Sequence, residues 1–389
     1  MEPLLPEDRE GKLISLSGEV VRRSERLRGK LHPVSRRKVA DLVRSMNSYY
    51  SNLIEGHRTK PSDIDTALKR EFTGNSDQRS LQQLHWAHVE THRWMEHSLT
   101  AIPKPAICSP EFLCQVHREF YTRLPEDMKT VKGTNGESHV IEPGALRSAI
   151  VTVGQHVPPA PPSLGKFLAR FSEFYGPLVN TTPAGLIAAA AAHHRLARIH
   201  PFLDGNGRVT RLFTQAWFQL ADISSDGLWT LSRGFARRQD EYRLKLAHAD
   251  ERRLNDFDGR GYLSDRRLTE FCEFVLQTSI DQLDFMHGLL ELDGLLARIE
   301  ALASLRMAAG ELPKGASAVL RDVFLRGQIA RGEIATLIGA SPRTGQNVVR
   351  VLLEKGLITS ESPKGQLQIA FPASVAAAYF PNLFPAGAE

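Results

Sequence analysis

Cysteine is scarce in this chain of 389 residues, and long apolar runs are missing from it. Its three cysteines, Cys108, Cys114 and Cys272, are too few and too scattered for a disulfide framework or a cysteine-rich zinc site, which favours a reducing compartment. The longest apolar stretch, residues 183–192, is about half the length of a membrane-spanning helix. The first residues lack the basic flank and apolar core of a signal peptide. We therefore expect a cytoplasmic protein that does not contact a membrane.

Acidic residues are outnumbered by basic ones, 44 to 49, which gives a formal net charge of +5. The surplus is local, because residues 21–44 contain nine basic residues against two acidic ones. Such a balance fits nucleic acid, an anionic nucleotide or a solvated surface without a ligand, so charge alone does not identify a partner. The hydrophobic share of 42% is that of a globular protein and excludes a disordered or fibrous chain.

The hydrophobic pattern is helical along most of the chain. In residues 34–55 apolar side chains recur at steps of three and four, between Pro33 and Gly56, which predicts an amphipathic helix. The same period predicts further helices over residues 81–98, 110–124, 164–178, 183–199, 208–220, 239–249 and 264–298. The fold class that we expect is therefore mainly α.

One interval departs from the helical period. It is a β-branched run that ends at Gly154 and consists of Ile150, Val151, Thr152 and Val153. A β-branched run bounded by glycine favours a strand or hairpin, and the prolines within residues 158–162 exclude a helix interior. We expect a short β-hairpin flap that is closed by a proline-rich turn.

The last part of the chain has a different pattern, which begins after the helix breakers within residues 298–315. Three helical segments and then two strand-like segments follow, at residues 319–324, 331–338, 341–355, 357–359 and 367–371. Three helices followed by a β-hairpin are typical of a winged helix-turn-helix domain. We expect such a domain over residues 298–389.

Residues 200–211, with the sequence HPFLDGNGRVTR, combine several groups that suit phosphate chemistry. Gly205 and Gly207 allow the backbone to approach a ligand closely. The N–H groups of a glycine-rich loop that enters a helix form an anion site. Arg208 and Arg211 are three residues apart, so they share a helix face and can bind separate phosphate oxygens.

Two further residues of this loop can take part in a reaction. Asp204 is its one carboxylate, and Mg²⁺ is commonly held by one carboxylate together with substrate phosphates. His200 has an ordinary pKa near ~6.5 and can accept a proton from a hydroxyl at neutral pH. A lone histidine or a single Gly-x-Gly is usually structural, but twelve residues that combine all these groups indicate a functional phosphate site.

This string resembles the signature of the Fic family, HxFx(D/E)GNGRxxR, and matches it at every defined position. The resemblance covers about residues 45–290. It implies a helical core that binds ATP and Mg²⁺ and transfers AMP to a Ser, Thr or Tyr hydroxyl of a target protein, the protein itself being one candidate. We accordingly divide the chain into an N-terminal helical region, a Fic catalytic core and the winged-helix domain, at residues 1–100, 101–297 and 298–389.

The resemblance also implies roles for individual residues. His200 would be the general base and Asp204 the Mg²⁺ ligand, and Tyr242 is a weaker candidate for a contact with adenine. Residues that would bind the phosphates are Gly205, Asn206, Gly207, Arg208 and Arg211. Residues of the flap that would dock the target are Ile150, Val151, Thr152 and Val153.

A second motif lies upstream, where residues 51–56 resemble the inhibitory motif of the family, (S/T)xxxE(G/N), with Ser51, Glu55 and Gly56 at the defined positions. Ser51 and Glu55 are four residues apart and share a helix face. The resemblance implies that Glu55 pairs with Arg211 and keeps the γ-phosphate from its site. The alternative is a helix-terminal glutamate without a special role. In some relatives the same glutamate serves de-AMPylation, which the sequence leaves open.

A different class of function comes from the winged helix, which makes a DNA-binding regulator with a nucleotide-sensing core the main alternative. The exposed side of its expected recognition helix carries Arg343, Gln346, Asn347 and Arg350, which are compatible with contacts to bases or phosphates. Winged helices also dock proteins or form dimers. The oligomeric state is open, and an interface between two copies that shields the inhibitory helix would make the protein a homodimer.

Overall fold

The computed structural model describes residues 4–133, 136–154, 156–259 and 261–385, and most of them are helical. The helices up to residue 289 are α1 Lys12–Arg28, α2 Pro33–Ile54, α3 Pro61–Leu68, α4 Ser76–Ser98, α5 Pro110–Tyr121, α6 Leu164–Tyr175, α7 Pro183–Ile199, α8 Asn206–Leu220, α9 Leu231–Arg237, α10 Gln239–His248 and α11 Asp265–Leu289. Between α5 and α6, β1 Thr130–Lys132 pairs antiparallel with β2 Ser138–Val140. The predicted mainly helical fold class is confirmed.

Helix α7 lies at the centre of this bundle. It packs against α1, α6, α8 and α11, and the alanines of residues 188–192 are buried. Because alanine is small, neighbouring helices approach α7 closely from several sides, which accounts for an apolar run that does not alternate with polar residues. No helix among the described residues is long and apolar enough to cross a membrane. The loop that joins α7 to α8 carries residues 200–205.

Helix α1 has no counterpart among the helices expected from the sequence. Its buried side is formed by Leu13, Ser17, Val20, Ser24 and Leu27. Two of these five positions are serines, which interrupt the apolar period but allow α1 to lie close to α11. The period of the buried side is therefore intact, and only its hydrophobicity is reduced.

The β-hairpin of the expected fold class is present, but it is formed by β1 and β2. Over residues 149–152 no strand forms, and beside them there is a single bridge between Val153 and His156. Ile150 is 75% exposed. A β-branched run has no packing advantage without a neighbouring strand, so the local preference is not realised here.

The C-terminal part contains α12 Leu292–Ala308, α13 Ala316–Arg326, β3 Gln328–Ile329, α14 Ile334–Leu337, α15 Pro342–Glu354, β4 Ile358–Thr359, β5 Leu367–Ile369 and α16 Ala373–Tyr379. Its strands form one antiparallel sheet in the order β3-β5-β4. The single helix expected over residues 264–298 is two helices, since α11 ends at Leu289. The connection expected over residues 298–315 is mostly helix α12, because Leu295, Ile299 and Ala303 form a buried stripe on it.

The C-terminal part also packs against α2. The hydroxyl of Ser35 donates to the carbonyl of Phe324 at 2.6 Å, and the hydroxyl of Tyr50 donates to the carbonyl of Leu383 at 3.0 Å. The rings of Tyr49 and Phe384 meet edge to face, with centroids 5.3 Å apart. Both ends of α2 are therefore in contact with residues beyond 320.

The basic segment at residues 21–44 lies on α1 and α2 and is largely paired with acids from other elements. Arg28 pairs with Asp222 at 2.6 Å, and Arg44 pairs with Glu96 at 2.6 Å. A pair with an exposed partner, such as Arg28 with Asp222, contributes roughly 0–1 kcal/mol, whereas the pair of Arg44 with Glu96 is mostly buried. Several basic residues of this segment thus form ion pairs with other elements and do not contribute to a free basic patch.

Candidate active site

The loop between α7 and α8 is held in shape by its own side chains. Asn206 accepts a hydrogen bond from the backbone N–H of Phe202 at 2.9 Å and donates to the carbonyl of Phe202 at 2.8 Å. The ring of Phe202 is fully buried and stacks on His117 at 4.1 Å. The side chain of Asn206 therefore shapes the loop and is not directed at a ligand.

Both glycines of the motif lie where a side chain would collide. Gly205 precedes the first residue of α8 and has a φ of +79°, a left-handed conformation that favours glycine. A Cβ atom there would lie 2.9 Å from the ring of Tyr121, and a Cβ atom on Gly207 would overlap the carboxylate of Glu55. The first N–H groups of α8 have no carbonyl partner within the helix, so this end is suited to an anion.

The carboxylate of Asp204 is held from two sides. The hydroxyl of Tyr121 donates to its Oδ2 atom, and Nη2 of Arg208 donates to the same atom at 2.8 Å. The guanidinium of Arg208 also lies over the ring of Phe120, 4.8 Å from its centroid. Burial favours a raised pKa for Asp204, but Arg208 and the Tyr121 hydrogen bond outweigh it and lower the pKa below its ordinary value. Asp204 is therefore ionised at neutral pH.

The site offers few ligands for a metal ion. No cluster of three or more His, Cys, Asp or Glu side chains that could hold a metal occurs in the described part of the chain. Mg²⁺ in nucleotide enzymes is held by one or two carboxylates together with substrate phosphates. The side chain of Asp204 is 45% exposed and offers one such carboxylate, so the residues fit Mg²⁺ that arrives with a nucleotide.

His200 ends helix α7 in a left-handed conformation, with a φ of +49°. A non-glycine residue at positive φ is uncommon and frequently marks a functional site. Burial lowers the pKa of His200 to about 4. A hydrogen bond to the carbonyl of Ala197 raises the pKa, but its effect is smaller than that of burial. At neutral pH the imidazole is therefore uncharged, with one ring nitrogen bonded to the backbone and the other able to accept a proton.

The second motif arginine, Arg211, reaches the end of α2. Its Nη2 atom donates to Oε1 of Glu55 at 2.6 Å and to the carbonyl of Ser51 at 3.0 Å, while its Nε atom donates to Oγ of Ser51 at 2.9 Å. The side chain of Arg211 is only 3% exposed. The two residues that the sequence singled out on one helix face thus bind the same guanidinium.

The C-terminal end of α2 is fixed by neighbouring side chains. Gln239 and Arg243 of α10 donate to the carbonyl of Ile54, at 3.1 Å and 2.8 Å. Gly56 follows with a φ of +91°, so the chain turns sharply after Glu55. These contacts hold the last turn of α2 at the start of α8, where Glu55 lies beside the anion-binding end.

Glu55 is charged in this arrangement. Burial favours a raised pKa for its carboxyl, but Arg211 and then Arg208 outweigh burial and lower the pKa below the ordinary value. Each motif arginine is therefore paired with one carboxylate, Arg208 with Asp204 and Arg211 with Glu55. A phosphate that approaches Arg211 meets a cation whose charge is already neutralised.

Not every residue expected in the site faces it. Tyr242 is buried, its hydroxyl lies 2.8 Å from Nε2 of His193, and its ring stacks on Phe235 with centroids 4.2 Å apart. Contact of Tyr242 with adenine stays a prediction, and this packing leaves little of the ring open to a base. Of the flap residues, Ile150 and Val153 are exposed, at 75% and 42%.

Several residues that contact the motif loop belong to neither of the two sequence motifs. Tyr121 and His117 lie four residues apart on α5, so they share a face, and both contact residue 204. His117 accepts a hydrogen bond from the N–H of Gly144 at Nδ1, so its Nε2–H donates to the carbonyl of Asp204 at 3.3 Å. The helical period of α5 identifies its buried face but not which buried residues touch the loop.

The fold places the motif loop at the junction of the two central helices α7 and α8. The model of the Fic/DOC family matches residues 107–218. The matched residues include α5, α7, the motif loop and most of α8.

Curated relatives resemble part of the chain. A protein adenylyltransferase Fic of Nematostella vectensis is 43% identical over 84 residues, which are 21% of this chain and 19% of that protein. One of Drosophila yakuba is 43% identical over 77 residues, 20% of this chain and 16% of that protein. The matched segment thus spans less than a fifth of the length of these relatives.

Solved structures share the fold over more of the chain. A Fic family protein from Desulfovibrio desulfuricans G20 superposes with a TM-score of 0.51 and 18% identity, covering 95% of this chain and 98% of that one. Fic-1 of C. elegans superposes with a TM-score of 0.51 and 17% identity, covering 72% and 74%. At these identities the likeness concerns the fold, and the expected Fic-type helical core is confirmed.

Proposed function

We propose that this protein transfers AMP from ATP to a Ser, Thr or Tyr hydroxyl of a target protein, and that Glu55 holds it in an inhibited state. The observation that carries the proposal is the pairing of Glu55 with Arg211 at the anion-binding end of α8. A buried arginine of a phosphate motif that is occupied by a carboxylate from another helix is what an inhibitory contact requires.

The reaction follows from the charges of the site. The target hydroxyl gives its proton to the free ring nitrogen of His200, which is neutral at pH 7. The oxygen of the target hydroxyl forms a bond to the α-phosphorus of ATP. The bond from the α-phosphorus to the oxygen that bridges it to the β-phosphorus breaks, so pyrophosphate leaves. Arg208, Arg211 and the N–H groups of Gly205, Asn206 and Gly207 would stabilise the phosphate charges. Mg²⁺ at Asp204 would supply further positive charge when it is bound.

The inhibition follows from competition for one guanidinium. Arg211 is the cation positioned for the terminal phosphate, and it already has a charged hydrogen bond to Glu55 and two bonds to Ser51. ATP must displace the carboxylate or bind with its phosphates elsewhere along the loop. Removal of the Glu55 carboxylate frees the cation without changing the loop.

Labelled nucleotide tests the proposal. Parent protein, Glu55→Gly and the double variant Glu55→Gly/His200→Ala are incubated with ATP labelled on the α-phosphate or on the γ-phosphate, with Glu71→Gly, at an exposed glutamate, as the control. We expect α-label on protein only in Glu55→Gly. Label from the γ-phosphate would identify a kinase instead. Glu55→Gly protein that carries the α-label is then incubated with the parent protein. Release of labelled AMP would show that the parent catalyses de-AMPylation.

The flap and the C-terminal part supply two further proposals. Residues 150–153, of which Ile150, Thr152 and Val153 are exposed, dock the target beside His200. Residues 298–389 are a winged helix-turn-helix domain, in which α15 is the recognition helix. On α15 the residues Arg343, Gln346 and Asn347 are exposed, whereas Arg350 is paired with Glu354 at 2.7 Å. This face supports DNA binding as the second candidate function, and salt-dependent binding of duplex DNA by the parent but not by Arg343→Glu tests it.

A further inference from the structure

The flap is anchored at its base by one arginine. Arg147 is 3% exposed, and its guanidinium donates to the carbonyl of Ala149 at 3.0 Å and to the carbonyl of Pro159 at 2.5 Å. One side chain thus joins the two ends of the segment 149–159. This holds residues 149 and 159 together, although no strand pairing holds residues 149–152.

A second anchor holds the far side of the same loop. Nε2 of His156 donates to the carbonyl of Arg198 at 2.8 Å, and Nδ1 of His156 lies 3.9 Å from the carboxylate of Asp250. Asp250, which follows α10, also accepts a hydrogen bond from His194 at 2.9 Å and forms an ion pair with Arg198 at 2.6 Å. One carboxylate therefore joins the flap, the last turns of α7 and the end of α10.

Both anchors lead to the stretch of chain that contains His200. Arg147 donates through Nε to the carbonyl of His200 at 2.8 Å and through its backbone N–H to the carbonyl of Pro201 at 2.9 Å. The anchor of His156 is Arg198, two residues before His200. The position of the flap relative to the imidazole is thus set by side-chain and backbone hydrogen bonds to the carbonyls of residues 198, 200 and 201.

We propose that Asp250 is a positioning residue, which through Arg198, His194 and His156 holds the flap at the distance from His200 that the target hydroxyl requires. This proposal rests on the proposed AMP transfer. Asp250 touches neither the motif loop nor the anion-binding end of α8 in any contact described for it. Its effect is therefore on the protein acceptor and not on ATP.

The carboxyl group of Asp250 is ionised at neutral pH. Burial favours a raised pKa, but the hydrogen bond and charge of His194 and then the charge of Arg198 outweigh it and lower the pKa to about 2. The contact of Asp250 with Nδ1 of His156 is the longest of the three and, at 3.9 Å, is not a hydrogen bond. Asp250 therefore acts on the flap through Arg198, whose carbonyl holds His156 by a hydrogen bond. His156→Phe removes it, whereas His156→Gln keeps an N–H donor for the carbonyl of Arg198.

The experiment compares Asp250→Asn, His156→Phe and His156→Gln in the Glu55→Gly protein, with Asp240→Asn on the exposed side of α10 as a control. Hydrogen exchange is measured over peptides of residues 149–157 and of α8. In parallel, α-labelled ATP is used with the full-length His200→Ala protein as acceptor, and kcat/KM for the acceptor and KM for ATP are determined separately.

We expect faster exchange at residues 149–157 in Asp250→Asn and His156→Phe, with α8 unchanged, and recovery towards the parent in His156→Gln. We expect kcat/KM for the acceptor to fall by about 10- to 100-fold with an unchanged KM for ATP, since small misplacements of reacting groups have effects of this size. Unaltered exchange at residues 149–157 would overturn the proposal, as would a KM for ATP that rises in the same proportion. If Glu55→Gly transfers no AMP at all, the proposed function fails, and the exchange measurement still decides the anchoring role.

Discussion

Loss of the Tyr121 hydroxyl should weaken the site without disturbing its packing. Tyr121 is 1% exposed, and its hydroxyl donates to Asp204 and receives a hydrogen bond from Arg208 at 3.3 Å. In Tyr121→Phe the ring remains, so no cavity forms. The variant loses the hydrogen bond to the Asp204 carboxylate and the longer one from Arg208. A hydrogen bond to a charged group contributes about 1.5–3 kcal/mol.

Unfolding of parent and Tyr121→Phe is followed by circular dichroism in urea and on heating. We expect the free energy of unfolding to fall by about 1.5–3 kcal/mol and the melting temperature to fall by a few degrees. The hydrogen bond contributes to the low pKa of Asp204, so the pKa of that carboxyl should rise in the variant. Tyr262→Phe, at a half-exposed tyrosine, serves as the matched control. A change in Tyr121→Phe no larger than that in Tyr262→Phe would refute the reasoning.

Two further predictions concern the motif loop. Gly205→Ala should lower the melting temperature and, in the Glu55→Gly protein, the rate of AMP transfer. The reason is that residue 205 has a φ of +79° and that a Cβ atom there would lie 2.9 Å from Tyr121. A melting curve equal to that of the parent would contradict this prediction. The pKa of His200 is lowered to about 4, so the base form persists well below pH 6.5, and kcat/KM of Glu55→Gly should stay level from pH 7.5 to about pH 5.5. An acid limb centred near pH ~6.5 would show that His200 titrates as an ordinary histidine.

The motif loop was predictable from the sequence because its chemistry is contained in twelve consecutive residues. The same holds for the face of α2 that carries Ser51 and Glu55, since spacing of four residues on a helix fixes which side chains point together. The pairing of Glu55 with Arg211 joins residues 156 positions apart. It was expected only through the resemblance to a family and could not follow from local pattern.

Other parts of the site depend on tertiary packing that local pattern does not encode. Tyr121 and His117 read as ordinary buried residues of α5, and only their approach to the loop gives them a role. Arg147 precedes the flap in the sequence, but its bonds to the carbonyls of residues 149, 159 and 200 depend on the tertiary structure. The flap illustrates the reverse case, since its β-branched residues prefer a strand that no neighbour completes.

The boundaries of helices were missed where a buried stripe contains few large apolar residues. Ser17 and Ser24 occupy buried positions on α1, so the hydrophobic pattern of the sequence does not identify the buried face of this helix. The stripe of Leu295, Ile299 and Ala303 extends α12 into a stretch expected to be a linker. In both cases the packing partner, α11 or α13, decides the outcome.

The contact between Glu55 and Arg211 is the centre of this account, and the initial rate of AMP transfer tests it most directly. The rate at which α-labelled ATP modifies protein is measured for parent and Glu55→Gly at equal concentrations. Because a charged hydrogen bond to Arg211 is removed, we expect a rate at least about 10-fold higher in Glu55→Gly. Equal rates in the two proteins would contradict the assignment of Glu55 as the inhibitory group.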